Sequence, residues 1–487
     1  MKKILFVSLG CDKNLVDTEV MLGALAQEGY AFTDDEEEAQ IAVVNTCCFI
    51  HDAQKESVDT ILSLAQRRTD GQLEALIVTG CLAQRYQREI LEQIPEVDAV
   101  LGTTATEALS GALADILGGK KEREKLVVEP LDKAPAGNQR RLRTMGLRTA
   151  GGATGYLKIA EGCDKRCTYC VIPDIRGPYR SVPQEQLVEE AHALAKEGVR
   201  ELILVAQETT LYGVDLYGEK RLPALLRALC QIEELSWIRL LYCYPEEITD
   251  ELIETVAAEK KVLPYFDMPI QHASDEILRR MGRRTNRAQI EDIVSRLRAC
   301  LPHVCLRTTL ITGFPGETED DHRQLLAFVE KMKFDRLGVF TYSREEGTPA
   351  AKMKPQVPAR VKKARQKELM RLQQTIAFAK TEEMVGRTLE ALIEGRIADE
   401  AETGGFFRNE AETGDFFPNG ADGFSDSEDE AQASAPRYVY AARTYRDAPE
   451  VDGLLFVETP RELMSGDIVP ALVTGAQGYD LVGRLKE

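Results

Sequence analysis

The chain of 487 residues is too long for one ordinary hydrophobic core, so we expect about two to four domains. Hydrophobic residues make up 44% and charged residues 29%, which excludes a mostly disordered or fibrous chain. The net charge of −19 argues against a protein that coats nucleic acid through its overall field. No apolar run approaches the roughly 18 residues of a membrane-spanning helix, so we expect a soluble, cytoplasmic protein.

In the first third of the chain, three apolar, strand-like runs are each followed closely by a cysteine. Residues 4–9 precede Cys11, residues 41–44 precede Cys47, and residues 76–78 precede Cys81. A helical pattern follows each cysteine, which predicts strand–loop–helix units in a parallel sheet covered by helices. Because the carboxyl ends of parallel strands meet at one edge of a sheet, we expect the three cysteines to converge there.

Three convergent thiols suit an iron–sulfur cluster better than the alternatives. A disulfide uses two thiols and is disfavoured in a reducing cytosol, and a closed zinc site needs four ligands. Three thiolates on a cluster would leave one iron without a protein ligand and open to chemistry. Three buried core cysteines remain an alternative. Cys48 competes with Cys47, which we choose because it has the same position after its strand as Cys11 and Cys81.

A second cysteine group follows the strand-like start of GYLKIAEGCDKRCTYCVIP, which begins at Gly155. Cys163, Cys167 and Cys170 form a C-x-x-x-C-x-x-C pattern, and Tyr169 precedes the last cysteine. The pattern resembles the cluster-binding loop of radical S-adenosylmethionine enzymes, and a zinc loop is the alternative. The resemblance implies a [4Fe–4S] cluster whose open iron binds S-adenosylmethionine. It also implies reductive cleavage of that cofactor to a 5′-deoxyadenosyl radical.

Six strand-like segments separated by helical stretches predict a partial (βα)6 barrel. They are residues 157–159, 202–206, 237–241, 266–270, 306–311 and 337–342. The active site of such a barrel lies at the carboxyl ends of its strands.

The resemblance makes Tyr169 a candidate cofactor contact, and four residues at those strand ends are further candidates. Thr312 and Gly313 begin the turn-rich segment TGFPGE, and the resemblance places this segment beside the adenosyl group. Gln207 and Glu208 end the second strand and are candidate contacts of S-adenosylmethionine or substrate. Helix capping by the threonines that follow them is the competing interpretation. For His272, in PIQHAS, a structural hydrogen-bonding role is favoured over a place at the barrel mouth.

The domain organisation resembles that of the methylthiotransferases. It comprises a three-cysteine domain (1–118), a linker (119–149), a radical S-adenosylmethionine core (150–380) and a C-terminal TRAM domain (381–487), a small OB-like β-barrel. Strand-like runs at 438–440, 454–457 and 468–473 suit that barrel.

Residues 398–436 interrupt the C-terminal domain. They carry eleven acidic residues against one basic residue, and EAETGGFF recurs there as EAETGDFF after ten residues. This composition predicts a disordered acidic insertion.

Several motifs are similar to those of the methylthiotransferase branch that modifies an aspartate of small-subunit ribosomal protein S-twelve. They are SLGCDKNLVDTE, VNTCCFI, AQETTLYGVDLYG, RLLYCYPEEITDEL, MPIQHAS, FTYSREEGTPA and DAPEVDGLLFV. The resemblance implies transfer of a methylthio group to the aspartate β-carbon, with two [4Fe–4S] clusters, S-adenosylmethionine and an external electron donor.

Charge favours the protein substrate over the isopentenylated tRNA that the other branch modifies. Outside its insertion, the C-terminal domain has twelve acidic and eight basic residues, whereas a domain that binds tRNA phosphates should have a basic face. We therefore expect ribosomal protein S-twelve as the partner, with no tRNA and no membrane. A two-cluster electron carrier and a zinc-dependent RNA-binding protein are the alternatives outside this class.

Overall fold

The computed structural model describes residues 2–120, 124–132, 152–399 and 438–486. The predicted acidic insertion lies outside the described residues from residue 400 onwards, as does most of the predicted linker. The chain divides into two compact units, Met1–Ile376 and Ala377–Glu487. Among the described residues, no helix combines the length and the apolar character that crossing a membrane requires.

The first unit begins with a parallel-sheet domain. Its elements are β1 (Lys3–Ser8), α1 (Asp12–Gln27), β2 (Ala31–Thr33), β3 (Ile41–Thr46), α2 (His51–Thr69), β4 (Ala75–Gly80), α3 (Cys81–Gln93), β5 (Ala99–Leu101), α4 (Ala108–Leu117) and β6 (Leu126–Val127). The strand order is β2-β1-β3-β4-β5-β6, and every pairing is parallel. The parallel sheet predicted from the cysteine-linked repeats is confirmed.

Helices cover both faces of this sheet because its central strands are apolar on both sides. In β3, Ile41 and Val43 pack in the same hydrophobic cluster as residues of α1 and α4, whereas Ala42 and Val44 pack with residues of α2 and α3. A strand buried on both faces requires such a continuous apolar run. The second cluster also contains Val171 and Ile175, which come from the next domain of the chain.

The same unit continues with a partial barrel. Its elements are β7 (Thr154–Lys158), β8 (Ala160–Glu161), α5 (Ile172–Arg176), β9 (Arg180–Ser181), α6 (Gln184–Lys196), β10 (Glu201–Val205), α7 (Val214–Tyr217), α8 (Leu222–Cys230), β11 (Trp237–Leu240), a 3₁₀ turn (Pro245–Glu247), α9 (Asp250–Ala258), β12 (Val262–Gln271), α10 (Asp275–Arg280), α11 (Arg287–Cys300), β13 (Cys305–Thr312), α12 (Glu319–Met332), β14 (Arg336–Thr341), α13 (Pro349–Lys352) and α14 (Ala359–Glu382).

Six of these strands form one parallel sheet in the order β14-β13-β12-β11-β10-β7. Each of the six contains or overlaps one of the predicted strand segments, so the partial (βα)6 barrel is confirmed. A continuous hydrophobic core that includes Leu204, Leu240 and Phe266 packs against the surrounding helices. Since all six strands run in the same direction, their carboxyl ends lie along one rim, which we call the barrel mouth.

The second unit contains a closed five-stranded barrel. Its strands are β15 (Thr388–Asp399), β16 (Tyr438–Arg443), β17 (Leu455–Thr459), β18 (Ile468–Gln477) and β19 (Asp480–Leu485), in the order β15-β16-β17-β19-β18. The small C-terminal β-barrel is thus confirmed. The three strand-like runs named from the sequence lie in β16, β17 and β18, while the first and last strands were missed.

Candidate active site

The three predicted cysteine ligands of the first domain follow neighbouring strands. Cys11 follows β1, Cys47 follows β3, and Cys81 begins α3 directly after β4. A Cβ atom on Gly10 would lie 2.8 Å from the Cys47 Sγ, so the loops carrying Cys11 and Cys47 are in contact. Burial raises the pKa of Cys81 to about 12, and the nearby thiols of Cys11 and Cys47 add to the rise. The predicted convergence is present in the structure.

The adjacent cysteines at the end of β3 have different surroundings. Burial raises the pKa of Cys47, whose other neighbours include Cys11 and Arg176. Burial also raises the pKa of Cys48, which is next to Cys81 and Arg85 and is fully enclosed in the apolar cluster under α2 and α3. Of these two cysteines, only Cys47 neighbours Cys11, which favours Cys47 as the ligand, and the assignment stays a prediction.

One buried amide ties the three cysteine loops together. The Asn14 Nδ2 donates hydrogen bonds to the carbonyl oxygens of Leu9 (2.8 Å) and Thr46 (3.0 Å), which precede Cys11 and Cys47. Its Oδ1 lies 3.8 Å from the Sγ of Cys81. Asn14 lies within the motif SLGCDKNLVDTE, but no role was predicted for it. A polar residue on the buried side of an amphipathic helix was the signal that could have found it.

A buried charged cluster lies against the same cysteines. It consists of Asp17, Lys158, Glu161 and Arg176, and we call it the Arg176 cluster. The Arg176 Nη1 lies 2.7 Å from Asp17 and 3.2 Å from Glu161. Its Nη2 lies 3.3 Å from the Sγ of Cys81. None of these four residues was predicted to contribute to the site.

The second cysteine loop is closely wound between β8 and α5. The backbone N–H of Cys163 donates to the carbonyl oxygen of Gly177 (3.1 Å), and that of Cys170 donates to Cys167 (3.0 Å). Gly162 has a φ of +84°, and a Cβ atom there would lie 2.0 Å from the carbonyl oxygen of Pro178. Only glycine lets the backbone approach so closely at this φ. Burial raises the pKa of Cys163 to about 11 and that of Cys170 to about 12.

Both cysteine groups suit a metal cluster better than free thiolates. The thiolate is the form that binds iron, yet burial and the repulsion between neighbouring sulfurs both favour the neutral thiol here. A bound cationic centre reverses that preference and deprotonates its thiol ligands. In the described part of the chain, however, no group of three His, Cys, Asp or Glu side chains is arranged to hold a single metal ion. The six ligand assignments thus remain predictions.

Gln207 and Glu208 each present an unused oxygen near the barrel mouth. The Gln207 Nε2 donates to Glu161 (2.6 Å), while its buried Oε1 has no hydrogen-bond partner among the described residues. The Glu208 Oε1 accepts from the backbone N–H of Thr210 (3.0 Å), and its Oε2 lies 3.8 Å from the Lys165 Nζ without a hydrogen bond. Burial raises the pKa of Glu208 to about 7. Unused buried acceptors of this kind fit a polar ligand.

Thr312 and Gly313 lie where the sequence predicted, at the end of β13, but their polar groups are largely engaged. The Thr312 Oγ1 lies 3.3 Å from the carbonyl oxygen of Lys362. The backbone N–H of Gly313 donates to the carboxylate of Glu317, as does that of Phe314 (3.1 Å). A Cβ atom on Gly313 would lie 2.2 Å from the Lys362 Cγ, so this packing alone requires glycine. Their contact with S-adenosylmethionine stays a prediction.

Aromatic and cationic side chains line the other side of the cysteine loop. Tyr169 meets the ring of Phe314 edge-on, with centroids 6.4 Å apart. The Arg283 guanidinium lies 4.3 Å from the ring centroid of Tyr244, its Nη1 is 3.9 Å from the Cys167 Sγ, and its buried Nε has no hydrogen-bond partner in the described chain. Arg283 was missed by sequence reasoning. Its free donor complements the free acceptors of Gln207 and Glu208.

Backbone strain is concentrated at the same rim. Tyr242 follows β11 with a φ of +60°, and Gln271 ends β12 with a φ of +71°. Non-glycine residues with a positive φ are uncommon and cluster at functional sites. His272 is fully buried, and its Nδ1 accepts from the backbone N–H of Ser274 (2.9 Å), which fits the structural role favoured from the sequence.

Three family models match successive parts of the chain. They are the uncharacterized protein family UPF0004 at residues 3–102, the radical SAM superfamily at residues 157–329 and the TRAM domain at residues 429–485. A solved radical S-adenosylmethionine methyltransferase, TsrM from Kitasatospora setae, has a TM-score of 0.51 and 16% identity, covering 72% of this chain and 74% of its own. That likeness concerns the fold alone.

Curated relatives match over the full length. The ribosomal protein uS12 methylthiotransferase RimO of Lachnoclostridium phytofermentans is 53% identical and covers 99% of both chains. That of Trichlorobacter lovleyi is 46% identical and covers 100% of this chain and 98% of its own.

The domain matches and the barrel place this chain among the radical S-adenosylmethionine enzymes, which use an iron–sulfur cluster and S-adenosylmethionine. At this identity over its whole length, the chain belongs to the family of ribosomal protein uS12 methylthiotransferases, which are transferases of sulfur-containing groups. The family predicted from the motifs is therefore confirmed.

Proposed function

We propose that this chain adds a methylthio group to the β-carbon of an aspartate side chain in ribosomal protein uS12, the S-twelve protein of the small subunit. One observation carries the proposal. Two groups of three cysteines lie in one compact unit, linked by Arg176, in a chain that matches uS12 methylthiotransferases from end to end. Each group alone would suit many iron–sulfur proteins, whereas the pair suits a two-cluster transferase.

The two cysteine groups have separate roles in this proposal. Cys163, Cys167 and Cys170 would hold one [4Fe–4S] cluster, and Cys11, Cys47 and Cys81 would hold an auxiliary one. When bound, the clusters and S-adenosylmethionine supply reductive cleavage to a radical and the sulfur that is transferred, with electrons from an external donor.

The chain's own residues would bind and orient the polar groups at the barrel mouth. The Gln207 Oε1 and the Glu208 Oε2, which accept no hydrogen bond from the described residues, can accept one from a cationic amino group. The free Nε of Arg283 can donate to a carboxylate. The methionyl part of S-adenosylmethionine carries both of these groups, so the mouth offers a counterpart for each. The ring of Tyr169, packed on Phe314, closes the side behind the cysteine loop.

The acidic balance of the C-terminal domain supports a protein substrate. Its twelve acidic and eight basic residues outside residues 398–436 make strong binding of tRNA phosphates unfavourable. A basic ribosomal protein would be attracted instead. We accordingly expect no tRNA product.

A competition assay tests the substrate. Anaerobically reconstituted protein, reductant and S-adenosylmethionine would be offered uS12 and isopentenylated tRNA together, with mass spectrometry on both. The expected result is a methylthio mass gain on the uS12 aspartate alone. A gain on tRNA alone would overturn the substrate while leaving the two-cluster chemistry intact.

Two cysteine variants test the division of roles. Cys163→Ala should abolish production of 5′-deoxyadenosine, because the site for reductive cleavage is lost. Cys81→Ala should retain that production and lose methylthio transfer. Normal 5′-deoxyadenosine production by the first variant, or normal product by the second, would refute the corresponding role.

A further inference from the structure

Arg176 lies on the short segment that connects the two cysteine groups. Cys170, the last cysteine of its loop, accepts a hydrogen bond at Sγ from the backbone N–H of Ile172 (3.5 Å), where α5 begins. Arg176 is the last residue of this helix. Its side chain extends from the barrel domain into the first domain and ends beside Cys81. One helix of five residues therefore separates a sulfur of one group from a contact to the other.

The guanidinium uses its two sides differently. On the Nη1 side it binds the carboxylates of Asp17 (2.7 Å) and Glu161 (3.2 Å). On the Nη2 side it faces the Cys81 Sγ at 3.3 Å and donates to the Asn14 Oδ1. Arg176 is only 2% exposed, so all of these contacts are shielded from water.

The contacts made by the Nη2 atom are not needed for ion pairing. Within the Arg176 cluster, two carboxylates are already matched by two cations, because Lys158 also binds Asp17 and Glu161. A structural role would be complete with the Nη1 side alone. The planar fork of arginine instead places a second, charged donor against a sulfur atom, which lysine cannot reproduce from the same position.

We propose that Arg176 is a positioning residue of the auxiliary site, which donates a charged hydrogen bond to the ligand sulfur of Cys81. Such a bond stabilises negative charge on the sulfur, and hydrogen bonds to ligand sulfurs raise the reduction potential of an iron–sulfur cluster. Arg176 would also fasten the loop of Cys170 to the auxiliary site. This inference rests on the two-cluster function proposed above.

The decisive measurement isolates the auxiliary cluster. In a full-length chain with Cys163, Cys167 and Cys170 all changed to Ala, the remaining cluster would be titrated with reductant and followed by electron paramagnetic resonance. Adding Arg176→Gln should shift the midpoint potential to a more negative value. The affinity of the site for iron, measured by competition with a chelator, should also fall roughly tenfold or more, as for other residues that support metal ligands. The midpoint potential of the Arg176→Lys chain should lie between that of the chain with Arg176 and that of the Arg176→Gln chain.

Two matched controls separate the sulfur contact from general damage. In a chain with Cys11, Cys47 and Cys81 changed to Ala, Arg176→Gln should leave the potential of the other cluster unchanged. Lys158→Gln removes the second cation bound to Asp17 and Glu161, and it should shift the auxiliary potential much less than Arg176→Gln.

Loss of Arg176 leaves two buried carboxylates with one cation, which could prevent folding. The double variant Asp17→Asn/Arg176→Gln removes one charge of each sign and should still show the negative shift. An unchanged auxiliary potential in the folded variant, or an equal shift in Lys158→Gln, would overturn this inference alone. Absence of any cluster from the chain that lacks Cys163, Cys167 and Cys170 would instead overturn the proposed two-cluster function.

Discussion

The choice between Cys47 and Cys48 can be decided by two single substitutions. We expect Cys47→Ala to lose the auxiliary cluster and to fall from about eight irons per chain to about four, because each cubane cluster contains four. Cys48→Ala should keep about eight. The reason is that Cys47 neighbours both Cys11 and Arg176, whereas Cys48 is enclosed by the apolar side chains under α2 and α3.

The stability changes of the two variants should be similar and small. Cys48 is fully buried and Cys47 is 7% exposed, so each change removes one enclosed sulfur atom at a cost of about 1 kcal/mol. Ser57 binds Cys47 only through the backbone N–H (3.0 Å) and carbonyl oxygen (2.9 Å), and these bonds survive in alanine. A difference in iron content would then report ligation and not folding.

The assay is iron and sulfide analysis after anaerobic reconstitution, with thermal unfolding of the iron-free proteins as the check on folding. The reasoning would be refuted if Cys48→Ala lost half of the iron while Cys47→Ala retained all of it. Equal loss in both variants, with unchanged melting, would mean that both thiols are needed at the site.

Three further changes test the surroundings of the cysteines. Asn14→Ala removes the donor of two hydrogen bonds, to the partly buried carbonyl of Leu9 and the buried carbonyl of Thr46, and should lower the unfolding free energy of iron-free protein by about 2 kcal/mol, measured with denaturant. Burial raises the pKa of Glu208 to about 7, so the unfolding free energy should fall by about 3 kcal/mol as pH rises from about 4.5 to 7. Glu208→Gln should remove this dependence on pH. Burial lowers the pKa of His272 to about 3, so the unfolding free energy should instead fall as pH drops below about 6.5. This fall should be less steep in His272→Asn. Equal slopes of unfolding free energy against pH in the two proteins would contradict the reasoning.

The parallel sheets were predictable because burial on both faces leaves a direct trace in the sequence. Strands such as β3 and β10 consist mostly of apolar residues, and Cys11, Cys47 and Cys81 closely follow β1, β3 and β4. The missed strands lack that trace. β15 reads TLEALIEGRIAD, in which charged residues interrupt the apolar ones, while β19 reads DLVGRL and contains a glycine. Such strands are specified by their partners in the closed barrel.

The cysteine groups were predictable from spacing, but their supporting residues were not. Asn14 and Arg176 contact Cys81 across 67 and 95 positions of the chain. Local patterns carry no information about such pairings, because the Asn14 contact depends on packing within the first domain and the Arg176 contact on how two domains dock. The engagement of Gly313 by Glu317 was similarly hidden, since a turn-rich segment reveals a permissive backbone and not which atoms its N–H groups meet.

Val171 and Ile175 complete the hydrophobic core of the first domain, although they belong to the barrel domain that follows it in the sequence. During synthesis, the first domain leaves the ribosome before these two side chains exist. Part of the apolar face of its sheet therefore stays uncovered until α5 has been synthesised. We expect the first domain expressed alone to be poorly folded, and iron to enter the auxiliary site only after the second cysteine loop has been translated.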